Sequence, residues 1–115
     1  MFDFQNLEVY KKSTSFHICC KQILNDTTLE RYVKDQLGRA SFNIVLNLAE
    51  GSAKATKADR KNYFTVARAS VFECVGVLDI LKIEGKLSAE QYQNNLKLAD
   101  EISRMLYTMI KNLSV

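Results

Sequence analysis

Proline is absent from the sequence, and glycine occurs only four times. Sandwiches and barrels spend both residues on their many tight turns, so this scarcity excludes a turn-rich β fold and points to long helices. Histidine occurs once, as His17. Metal centres and nucleophile–base pairs draw on several such groups, so a lone imidazole reads as a solvent-facing or hydrogen-bonded helix residue. The three cysteines are Cys19, Cys20 and Cys74. Neighbours on a helix point about 100° apart, which keeps Cys19 and Cys20 from pairing with each other. An odd count without framework spacing fits a reducing compartment, with the thiols as small core residues. There is no Gly-rich phosphate loop and no paired-cysteine metal spacing. No apolar run approaches the ~20 residues of a membrane span. The first ten residues carry Asp3 and Glu8 and lack a basic-then-apolar signal pattern. The expectation is a cytoplasmic protein, one domain over residues 1–115, with no metal, no cofactor and no membrane partner.

What is present is helical periodicity. Hydrophobic residues make up 47% and charged residues 25%, ordinary for a globular chain and too apolar for a disordered one. Val9, Phe16, Cys20 and Ile23 predict a first helix over residues 6–24. Asn25-Asp26-Thr27-Thr28 supplies turn chemistry. Leu29, Val33, Leu37, Ala40, Ile44 and Leu48 predict a second helix over residues 29–50, with Gly38 inside it and Gly51 as its stop. Gly38 is a candidate point of close helix approach.

Thr56 caps a third helix whose first turn holds Asp59. There Phe64, Ala67, Val71, Cys74, Leu78 and Leu81 alternate at three and four, the seam of a bundle. A flanking stripe of Tyr63, Val66, Val77 and Ile80 widens the apolar arc, which implies burial on a second side by another subunit. Gly85 ends that helix, and Ser88-Ala89-Glu90-Gln91 forms a capping box for a fourth. Its inner face is Tyr92, Leu96, Ala99, Ile102, Leu106, Met109 and Leu113. Short connections make consecutive helices antiparallel, so the predicted fold is all-α, an up-down four-helix bundle.

Two groups of polar residues stand out. Gln36, Asn43, Asn47 and Glu50 follow the apolar stripe of the second helix, and Ser70 and Glu73 do so on the third. Buried polar groups need partners, so these predict a structural hydrogen-bond network between the two helices. Glu50 and Glu73 lack a histidine three residues on, which excludes the di-iron carboxylate pattern. The second group is basic. Lys54, Lys57, Arg60, Lys61 and Arg68 are opposed in that stretch by Asp59 alone, with Tyr63 and Phe64 beside them. Clustered cations hold phosphates by releasing counterions, and an adjacent ring can stack on a base. The net charge of +3 is too small to decide the matter.

Gln36-Leu37-Gly38-Arg39-Ala40-Ser41, Asn43-Ile44 and Asn47-Leu48-Ala49-Glu50-Gly51-Ser52 resemble the signature of the bacterial four-helix bundle proteins, also called ribosomal-RNA intervening-sequence proteins. The opening 4–12 stretch resembles that family's first helix, and Phe64, Ala67, Arg68, Ser70 and Glu73 its third. Gly38 stands where the family usually has a second arginine, and Ala69 where it has a glycine. The resemblance implies a ring-like homopentamer. Its fold is shared by accessory proteins of diversity-generating retroelements, where a basic pentamer works with a reverse transcriptase and nucleic acid. The function expected is a non-enzymatic oligomeric scaffold, with sequence-independent RNA or DNA binding through Arg39, Lys54, Lys57, Arg60, Lys61 and Arg68. The alternatives are a protein-interaction module without nucleic acid and, more remotely, an enzyme built on Asn47, Glu50 and Glu73.

Overall fold

The computed structural model describes residues 2–114. Its helices are α1 (Glu8–Leu24), α2 (Arg31–Ala53), α3 (Lys57–Ile83) and α4 (Ala89–Leu113), preceded by a 3-10 turn over Asp3–Asn6. No strand occurs among the described residues. Each helix packs on its sequence neighbours, and α1 closes the square against α4. The diagonal pairs, α1/α3 and α2/α4, bring no Cα atoms within 8 Å of each other. This is an up-down four-helix bundle. Phe16, Leu37, Ile44, Leu48, Leu78, Ile102 and Leu106 fill its centre with no exposed area, each from the three-four stripe of its own helix.

Local chemistry explains the helix ends. Thr56 Oγ1 accepts from the Asp59 amide at 3.1 Å and starts α3. Ser88 and Gln91 cap each other reciprocally at 3.0 and 3.1 Å and start α4. After α3 the chain turns through Gly85 at φ +73, with the Lys86 amide donating to the Leu81 carbonyl at 2.8 Å. That is a Schellman stop, and its left-handed residue suits glycine.

Three expectations needed correction. Helix α1 starts at Glu8, because residues 3–6 form the separate 3-10 turn. Helix α2 starts at Arg31, because Asp26 ties down the preceding turn by accepting from the Thr28 amide and hydroxyl. Leu29 is buried there without being helical. Gly51 is not a stop either, since α2 continues to Ala53. It is instead the point of close approach. A Cβ there would lie 2.7 Å from Phe64 Cε1 and 2.9 Å from Tyr63 Cβ. At Gly38 the nearest such contact is the flexible tip of Leu24, at 3.3 Å.

Three core residues carry unexpected chemistry. The buried thiols of Cys20 and Cys74 face the same core, and the neighbouring Cys74 thiol together with burial pushes the Cys20 thiol up. Their helices are diagonal, so their Cα atoms stand farther apart than a disulfide can span. Asn95 is 6% exposed on α4, and its Nδ2 donates to the Gln91 carbonyl at 2.8 Å while Oδ1 has no partner.

Candidate nucleic-acid interface

The basic residues divide by what holds them. Arg60 caps the end of α2, donating from Nε to the Lys54 carbonyl at 2.9 Å and from a terminal nitrogen to the Ser52 carbonyl at 3.1 Å. It satisfies carbonyls that the helix end leaves orphaned, so its guanidinium is committed to the fold. Lys54 lies over the Tyr63 ring at 4.9 Å. Lys57 and Lys61, one turn apart at the start of α3, form no ion pair among the described residues. Arg39 is exposed on α2, about 22 Å along the helix from Lys54 at 1.5 Å per residue. It does not join the cluster.

Arg68 sits elsewhere, in the seam between α3 and α4. Its Nε donates to the Ser103 carbonyl at 3.2 Å. Its guanidinium lies 4.9 Å from the Phe72 ring centre and 5.4 Å from that of Tyr107. Both rings are more than half exposed. Beside them runs a groove of about 460 Å³, floored by Val71, Val75, Leu96 and Ala99 and edged by Lys97 and Asp100. Sequence reasoning found Arg68 and missed its company. The signal was present: Phe72 follows Arg68 by one turn, and Arg104, Tyr107 and Lys111 share a face of α4 at three-four spacing.

The polar stripe is looser than a buried network. Gln36 donates to the Glu73 carboxylate, the one link it makes between α2 and α3, and both residues are exposed. Asn47 returns its Nδ2 to the Asn43 carbonyl of its own helix at 2.8 Å. Glu50 is exposed, and Ser70 is the one buried member. The stripe lies at the outer edge of the α2–α3 seam, with Gln36, Glu50 and Glu73 open to solvent.

His17 Nδ1 pairs with Ser41 Oγ at 2.8 Å, and its ring tilts against Phe42 at 5.6 Å. Ser41 has no exposed area, so no substrate reaches that hydroxyl. Desolvation and then Lys21 push the imidazole below its ordinary value. Among the described residues, no three His, Cys, Asp or Glu side chains are grouped to hold a metal ion, and no helix is long and apolar enough to cross a membrane.

Comparison with known proteins is decisive for kinship. The profile of the 23S rRNA-intervening sequence protein family matches residues 5–108. The chain belongs to that family. A crystal structure of a protein of unknown function from the S23 ribosomal protein family of Bacteroides thetaiotaomicron is similar, with a TM-score of 0.84. It is 24% identical, over 90% of this chain and 98% of that one, a likeness that establishes the fold. No curated protein matches. Within the family's signature segment, Gly51 has a clear physical role, the close packing of α2 on Phe64 and Tyr63.

Proposed function

We propose that this family member is a non-enzymatic scaffold that assembles with copies of itself and holds nucleic-acid backbone without sequence preference. The observation that carries the reading is the outer face of α3. Val66 and Ile80 are 51% and 54% exposed, with the small residues Ala69 and Gly76 between them and nothing within 4 Å of a Cβ at Gly76. These positions keep the three-four register of the helix's inner seam, interrupted by Glu73, whose carboxylate accepts from Gln36, so the face fits a second helix of the same kind. Exposed apolar stripes of this length are unusual on a monomer. A symmetric ring, such as the pentamer that the resemblance implies, would repeat Lys57 and Lys61 around an axis. One copy offers few phosphate contacts, and linked weak sites gain avidity when one strand spans several.

The test is electrophoretic shift with structured RNA and with DNA at two salt concentrations. Binding is expected to fall steeply with salt and to depend on assembly. The double change Lys57→Glu with Lys61→Glu is expected to abolish it while leaving helicity intact, since acidic residues suit a helix start. A wild-type protein that shifts neither nucleic acid at low salt would overturn the nucleic-acid role. The exposed stripe would then favour a protein-interaction module.

A further inference from the structure

We infer that the groove between α3 and α4 is a track for single-stranded nucleic acid, with Phe72 and Tyr107 as its base-stacking platform. This rests on the nucleic-acid reading above and moves its centre from the α2–α3 connection to a different surface.

Charge is the first support. Lys61 lies two turns before Arg68 on α3, and Lys111 two turns after Arg104 on α4. The Arg68–Ser103 bond sets the two antiparallel helices side by side at that level, so Lys61 and Lys111 fall toward the same end. Lys97 edges the groove toward the other end. Lys61, Lys97 and Lys111 form no ion pair among the described residues. Of the acids along this face, Asp100 is paired with Arg104 at 3.0 Å, while Asp79 accepts from the Tyr92 hydroxyl at 2.6 Å and keeps its charge; they are fewer than the cations around them. The surface left over is cationic, as a phosphate chain requires.

Ring exposure is the second. Phe72 is 59% and Tyr107 55% exposed, at mid-track, with the Arg68 guanidinium beside both. Their free faces, next to a fixed cation, suit unstacked bases, which duplexes do not present. From Lys111 to Lys97 the track is about 21 Å long at 1.5 Å per helical residue. That spans about six stacked nucleotides at the ~3.4 Å spacing of one strand.

The experiment is fluorescence anisotropy of a labelled, unstructured 12-nucleotide RNA and of its duplex with the complementary strand, at low salt. The wild type is expected to bind the single strand at least about tenfold more tightly than the duplex. Phe72→Ala with Tyr107→Ala should weaken single-strand binding by about tenfold or more, the scale of lost base stacking, and leave duplex binding unchanged. Phe72→Tyr with Tyr107→Phe keeps both rings and should retain binding. Lys97→Glu with Lys111→Glu should abolish binding and preserve helicity.

Equal affinity for both forms, unaffected by the alanine changes and lost in a Lys54→Glu, Lys57→Glu protein, would overturn the groove and leave the proposed function standing. No binding of either form would remove both. A 20-residue acidic amphipathic helix, titrated in parallel, is expected not to bind. If it binds and loses affinity with the alanine changes while RNA does not bind at all, the groove belongs to a protein partner.

Discussion

The two seams of α3 are built in opposite ways. Toward α2, Gly51 lets the backbone come so close to Phe64 and Tyr63 that no side chain fits between. Toward α4, a long arginine spans the gap, bonded to Ser103 and flanked by exposed rings, and a groove remains beside it. A helix pair sealed by glycine offers a solvent ligand nothing but its outer edge. A pair bridged by an arginine keeps an apolar floor and cationic rims within reach of one. The contrast separates a surface built for the fold from one free for binding.

The largest effect that could break this comparison comes from truncating each seam's phenylalanine. Phe64 is 5% exposed and Phe72 59%. Urea unfolding should show Phe64→Ala costing about 3–5 kcal/mol, as buried aromatic truncations do. Phe72→Ala should cost no more than about 0.5 kcal/mol, as exposed substitutions do. Similar costs at both would mean that the α3–α4 seam is closed in solution.

Next in size are the glycines. Gly51→Ala drives a Cβ into Phe64 and Tyr63, an overpacking of about 1–3 kcal/mol, partly offset by better helix propensity. Gly38→Ala meets only the movable Leu24 tip and should be neutral or stabilising by up to about 1 kcal/mol. Paired chemical denaturation of the two variants checks the order.

Asn95→Leu sharpens the account of α4. It removes a buried amide whose Oδ1 has no partner, and is expected to stabilise the chain by about 1 kcal/mol, measured as a raised urea midpoint. A loss of stability would mean that a bound water completes the site.

The smallest effect concerns pH at the α1–α2 seam. His17 is held below its ordinary value near 6.5 by desolvation, then by Lys21. The unfolded chain therefore takes up the proton first, and stability falls as pH drops through 6.5 toward the lower folded value. Unfolding midpoints at pH 7.5 and 5.5 should differ in the wild type and converge in His17→Gln.

Much of the fold was legible because the core rests on spacing. The inner stripe of α3, from Phe64 to Leu81, is buried residue for residue. Capping residues were equally readable, since the Thr56 and Ser88 hydroxyls accept from backbone amides only three positions on. Gly51 was misread because a glycine after a periodic run looks like a stop until the opposing Phe64 is in view. The candidate site was legible only in part. A run of cations does not show that Arg60 caps α2, and nothing local says that Arg68 reaches Ser103, 35 residues away. Partners distant in sequence decide which charges are free.

The claim beneath the proposed function is that this chain works as an assembly whose subunits meet through the outer face of α3. Light scattering of the purified protein at micromolar concentration tests it most directly. The account predicts a single species several chains in mass, dissociated by Val66→Glu with Ile80→Glu at unchanged helicity. A wild-type species with the mass of one chain would contradict it.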